Sequence, residues 1–159
     1  MPDSASHRED LAADYEALLD FMYQAPVGLV QVGADGTVQM LNPMAARLLL
    51  PVSRNGRLAN LFDALEGAAP ELRGLVANFP APSGTICQDH RITFTSEQAL
   101  AAEPHVLSIS LLRLFPARLM AVIQDVSTAA ANERRLRESE LFANRIIDTA
   151  PDTIIVVDA

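Results

Sequence analysis

The spacing of apolar residues changes several times along the chain, and each change predicts a different element. Leu11, Tyr15, Leu18 and Met22 recur at intervals of four, three and four. That spacing places one apolar seam on a helix of about four turns. Ahead of it, Ser6-His7-Arg8-Glu9 has the pattern of a capping box, with the serine side chain accepting from the third helical N–H. Ala25-Pro26 ends the helix. Val27 to Val32 then reads as a strand, Ala34-Asp35-Gly36 as a turn, and Thr37 to Leu41 as a second strand. Asp-Gly between apolar runs marks a hairpin, because glycine accepts the positive φ of a tight turn.

Asn42-Pro43 opens a short helix through Leu49: asparagine caps, and proline suits the first helical position. Asn60 caps a second, Leu61 to Leu65. Pro70 opens a third, with Leu72, Leu75, Val76 and Phe79 on one face. The following third of the chain alternates as strands do: Thr85 to Phe94, His105 to Phe115 and Leu119 to Val126. A loop, Thr95 to Pro104, joins the first two, and a tight turn at Pro116 joins the last two. The order β-β-α-α-α-β-β-β with short hairpin links predicts an α+β fold, an antiparallel sheet with helices on one face.

From Ala129 to Thr149 there is no proline or glycine. Ala129, Leu136, Ala143 and Ile146 mark a narrow seam, and Glu133 with Arg137 is a favourably oriented i,i+4 pair. Two readings stand, a weak coiled coil and a solvated surface helix. The N-terminal seam likewise has two readings, packing on the protein's own sheet and pairing with a second copy. Ala25-Pro-Val-Gly-Leu-Val-Gln-Val-Gly-Ala34 aligns without gaps to Ala150-Pro-Asp-Thr-Ile-Ile-Val-Val-Asp-Ala159. Both copies follow a helix and continue as an apolar strand, so the end of the chain is expected to begin a second, similar domain.

Composition narrows the class. Half of the 159 residues are hydrophobic and 20% are charged, as in globular proteins. The net charge of −8 argues against a nucleic-acid partner, since phosphate binding needs a basic face. A single cysteine, Cys87, rules out an internal disulfide and suits a reducing compartment. The polar N-terminus lacks a signal-peptide core, and no apolar run reaches the 18 or so residues of a membrane span. A cytoplasmic location is expected.

Three segments together resemble a PAS sensory domain. GLVQVGADGTVQMLNPMAARLL is similar to that family's first hairpin and following helix. Gln124-Asp125-Val126-Ser127 resembles the Asp-Ile-Thr motif linking PAS sheets to their output helix, with serine in place of threonine. LRESELFANRIIDTAPDTIIVVDA looks like a signalling helix leading into a second PAS domain. The resemblance covers roughly residues 22–159. It implies a five-stranded antiparallel sheet ordered 2-1-5-4-3, with helices closing a pocket over one face. It divides the chain into an N-terminal helix (1–24), a PAS domain (25–128), a linker helix (129–149) and the first strand of a truncated second domain (150–159). It also implies sensing or dimerisation in front of an output domain, often a histidine kinase of a two-component system or a cyclic-di-GMP enzyme.

Catalytic chemistry is not visible. Walker, GxSxG and HExxH patterns are absent, as is CxxCH for covalent haem, and one cysteine makes no zinc site. Cys87 lies outside the Asn-Cys-Arg context of flavin-binding light sensors. No enzyme activity, metal, haem or flavin is expected, and any pocket ligand is small and non-covalent. On Thr85 to Phe94, Gln88 and His90 share the parity of Ile86, Ile92 and Phe94, and without a bulge they point inward. Such groups are satisfied internally or contact a ligand, and His90 could ligate haem iron. The expected pocket residues are Gln88, His90, Met40 and Phe79; the signal junction is Asp125 and Ser127; the homodimer seam is Leu11, Tyr15, Leu18 and Met22. Asp125 has two readings, a latch on the output helix and an ordinary helix cap. The rival functions are a ligand-free structural dimerisation domain and a haem or flavin redox sensor.

Overall fold

The computed structural model describes residues 3–95 and 104–149. The chain divides between Asp125 and Val126 into two compact units. In the first, helix α1 (Asp3–Gln24) precedes strands β1 (Gly28–Gly33) and β2 (Val38–Leu41). Helices α2 (Pro43–Leu49), α3 (Leu61–Leu65) and α4 (Glu71–Asn78) follow, then β3 (Gly84–Phe94), β4 (His105–Phe115) and β5 (Arg118–Asp125). The sheet is five-stranded and antiparallel, ordered β2-β1-β5-β4-β3, as expected. The second unit is described through α5 (Ser127–Thr149). The repeat of Ala25–Ala34 at Ala150–Ala159 and most of the 95–104 loop lie outside the described residues.

Alternation builds the core. Val30, Val32, Ile92, Leu107, Ile109, Leu111, Leu119, Ala121 and Ile123 lie buried on one sheet face. Ala45, Leu49, Leu61, Phe62, Leu65, Leu72 and Val76 bring the helices onto it. Gly28 lets α2 settle on β1, because a Cβ there would stand 2.9 Å from the Ala45 Cα. The first hairpin turns at Gly36, whose φ of +88° favours glycine.

Asp35 closes that turn. Its Oδ1 accepts from Thr37 N at 3.0 Å and its Oδ2 from Thr37 Oγ1 at 2.8 Å. These bonds hold the Asp35 carboxyl below its ordinary value of 3.8. A lowered folded value means that the turn's contribution is complete above the ordinary carboxylate range and disappears as pH falls through the lowered value. An NMR titration should therefore show Asp35 protonating below pH 3.8 with the Thr37 amide shifting in step. Titration at or above the ordinary value would contradict the bonded turn.

Two local expectations fail. Ser6 does not cap α1, because the helix begins at Asp3 and takes Ser6 into its interior. Leu75 does not join the buried face of α4: Leu72 and Val76, four apart, face the core and Leu75 is exposed.

Candidate functional site

Three of the polar groups around the apolar core bear on the site. The most buried is Asn42, 2% exposed. As the cap of α2 its Oδ1 accepts from Ala45 N at 2.9 Å. The same oxygen accepts from Leu29 N at 2.9 Å. Its Nδ2 donates to Met22 O at 3.0 Å and to Val27 O at 2.9 Å. Two donors and two acceptor positions are all an asparagine amide has, so the side chain is fully used. It ties the last turn of α1, the entry to β1 and the start of α2 to one point.

The second place is the contact of α4 with β3 and β4. His90 Nε2 and Glu71 Oε1 lie 2.7 Å apart. The Glu71 backbone N–H and then His90 hold the Glu71 carboxyl below its ordinary range. At the other end of α4, the Arg113 guanidinium donates to Val76 O at 2.8 Å, Phe79 O at 2.9 Å and Ala81 O at 3.1 Å. It also lies 5.2 Å from the centre of the Phe79 ring. Burial raises the Cys87 thiol above its ordinary value, and Cys87 packs beside the core on the same strand.

The third is a notch on the outer face of the sheet. Two register slips, one between Thr85 and Cys87 and one between Cys87 and His90, each put an extra residue into β3. Asp89 there takes a φ of +51°, donates its N–H to Ser110 Oγ at 3.0 Å and accepts from Ser108 Oγ at 3.3 Å. These bonds explain two serines in the middle of a strand that is apolar from Val106 to Leu112 apart from them.

The structure separates the expected pocket residues. His90 stands on the helix side, opposite Ile109, with its ring against Glu71. Phe79 is half-buried under Arg113. Gln88 is exposed, a correction to the inward direction expected of it: the β3 slip breaks the alternation. Met40 does not reach the pocket side either. Gln39 is an extra residue between the pairs Val32–Val38 and Gln31–Met40, and Met40 ends 42% exposed, paired with Gln31 on the outer face. Asp125 ends β5 opposite Leu107, and Ser127 begins α5. Leu11, Tyr15 and Leu18 are 67%, 60% and 57% exposed, and Met22 is half-buried. The α1 seam therefore does not pack on its own sheet.

Sequence reasoning passed over Glu71, Arg113 and Asp89. Among the described residues no three His, Cys, Asp or Glu side chains come together to hold a metal. No helix among them is long and apolar enough to cross a membrane.

No protein-family model matches the sequence, and no curated protein matches it. Solved structures do. The PAS domain of an HTR-like protein from Haloarcula marismortui superposes with a TM-score of 0.52 at 16% identity, over 76% of this chain and 98% of that one. The photoactive yellow protein domain of the sensor histidine kinase Ppr from Rhodospirillum centenum gives 0.43 at 20% identity, over 67% and 90%. A PAS domain from Desulfitobacterium hafniense gives 0.41 at 12% identity, over 67% and 98%. With the strand order above, the first of these shows that the chain has the PAS fold.

Proposed function

We propose that this chain is a sensory and dimerisation module of a longer signalling protein, without catalytic activity of its own, that relays a change in its PAS unit into α5. The observation that carries this reading is the exposure of the α1 seam beside a complete core. Leu11, Tyr15 and Leu18 are each more than half exposed, burying the rest of a leucine is worth about 1–2 kcal/mol, and a second copy supplies the simplest cover. Helix α5 supports it too: Leu136, Leu141, Phe142, Ile146 and Ile147 are exposed along its length. The output domain, a histidine kinase or a cyclic-di-GMP enzyme, would follow α5 in a cytoplasmic protein.

The reading includes no haem or flavin. His90 Nε2 is already bonded to Glu71, so ligating iron would first require breaking that contact. A visible absorption band in the purified protein would overturn this part. The ligand-free dimerisation domain is the second reading, favoured by the aliphatic filling of the helix side of the sheet. Light scattering tests what both share. The protein should be a dimer at micromolar concentration, and Leu18→Glu, which leaves the core untouched, should shift it to monomer by tenfold or more in Kd, about 1.4 kcal/mol. A monomeric wild-type protein would sink the proposal.

A further inference from the structure

The loop between α2 and α3 holds the chain's one Asn-Gly pair, Asn55-Gly56. Asn55 Oδ1 accepts from Arg57 N at 3.1 Å and from Ser53 Oγ at 3.1 Å. The first bond is the turn that an asparagine makes with the backbone two residues on. Ser53 is itself buried, and its hydroxyl hydrogen is shared between Asn55 Oδ1 and Arg57 O, 3.0 Å away. Gly56 is exposed and holds a φ of +64°, which favours glycine. Beyond its chain neighbours, no atom lies within 4 Å of where a Cβ would stand. Its N–H reaches Ser53 O only at 3.4 Å. The Gly56 nitrogen is thus loosely held and unshielded, next to a side-chain carbonyl whose oxygen already meets two donors. We propose that Asn55 is a self-modifying site, which loses its side-chain amide as ammonia and becomes aspartate or isoaspartate.

The step needs only water. Gly56 N gives its proton to solvent and bonds to Asn55 Cγ, and the electron pair of the carbonyl moves onto Oδ1. Arg57 N–H and the Ser53 hydroxyl already donate to that oxygen, so they stabilise the charge as it forms. The oxyanion collapses, the Cγ–Nδ2 bond breaks, and Nδ2 leaves as ammonia with a proton from solvent. A five-membered imide remains. Water opens it at Cγ to give aspartate, or at the Asn55 main-chain carbonyl to give isoaspartate. Either product adds one negative charge to a chain at −8. Isoaspartate also puts a methylene into the main chain between Ser53 and Arg57, which breaks the turn. Asp35-Gly36 would form the same imide but is closed to it. Gly36 N is bonded to Gly33 O at 2.9 Å, and a Cβ there would collide with Phe62 and Asn60. Both Asp35 carboxylate oxygens are held by Thr37.

This goes beyond the sensory reading and does not rest on the dimer. The full chain is incubated in mildly alkaline buffer, folded or unfolded in urea, and then cut after acidic residues. That cleavage yields one peptide from Gly36 to Asp63, which also carries Asn42 and Asn60. Mass spectrometry reads the conversion of amide to acid, and chromatography separates the aspartate and isoaspartate products. In the folded chain Asn55 should convert at least as fast as in urea, while Asn42 and Asn60 keep their amides. Isomerisation at Asp35, read as loss of the cut after it, should appear only in urea. Ser53→Ala should slow the folded reaction about twofold to tenfold, the rate equivalent of one neutral hydrogen bond. Ser53→Thr, which keeps the hydroxyl, should restore the rate. An Asn55 that stays intact in the folded chain while the urea-treated chain converts would overturn the proposal. So would an unchanged or faster rate in folded Ser53→Ala, since the loop would then not drive the step. The comparison of folded with urea-treated chain uses the wild-type protein alone, so it decides the matter even where Ser53→Ala does not fold.

Discussion

Replacing Asn42 by alanine should cost about 3–5 kcal/mol, a large part of the 5–15 kcal/mol by which domains of this size are stable. The substitution removes a helix cap, worth about 1 kcal/mol. It also strands Leu29 N, Met22 O and Val27 O where the side chain is almost wholly enclosed. An orphaned buried group costs about 1–3 kcal/mol, and partial entry of water keeps the total below the sum. Asn42→Asp is the discriminating companion. It has the same shape and keeps the two accepted bonds but sets a buried carboxylate oxygen against Met22 O and Val27 O, so a loss at least as large as alanine's is expected, easing at low pH where the acid is neutral. Urea unfolding of the three proteins measures this. A loss under about 1 kcal/mol for Asn42→Ala would show that the four bonds are replaced by solvent at no cost. Because Met22 lies on the α1 seam, the same variant should also weaken the proposed dimer.

Asn42 shows what was legible in the sequence and what was not. Asn-Pro ahead of a short apolar helix identifies a cap, and the Ala45 bond is that cap. Its bonds to Met22 O, Val27 O and Leu29 N span 13 to 20 residues, and no local pattern encodes them. The strands were legible for a related reason: period-2 alternation is a local signal, and every strand of the sheet follows from it within a residue or two. Alternation fails where a bulge adds a residue. Gln88 and Met40 are misplaced for that reason alone, while His90 regains its side because β3 carries two slips. The outer-face serines were the available clue. Ser108 and Ser110 interrupt an apolar strand, and buried hydroxyls ask for partners. Asp89, turned back by its positive φ, is that partner.

Arg113 was the least legible of the site residues, since Leu-Leu-Arg-Leu-Phe reads as an ordinary strand end with an arginine in solvent. The fold gives it another task. Arg113 is paired across the sheet with Gly84, at the start of β3 beside the Phe79 ring. A cation at a helix C-terminus also meets the negative end of the helix dipole. Arg113→Met keeps the apolar stem but releases the carbonyls of Val76, Phe79 and Ala81 together with the Phe79 stack. Charge-assisted bonds contribute roughly 1.5–3 kcal/mol each in favourable settings. Arg113 is only partly buried, so the combined loss should be about 2–4 kcal/mol. Arg113→Lys restores the charge but not the fork, since an ammonium is a point donor and cannot span carbonyls on three residues. It should recover less than half of the loss. Denaturant unfolding of the three proteins reads the series directly. Full rescue by lysine would mean that charge alone, and not the planar fork, holds the end of α4.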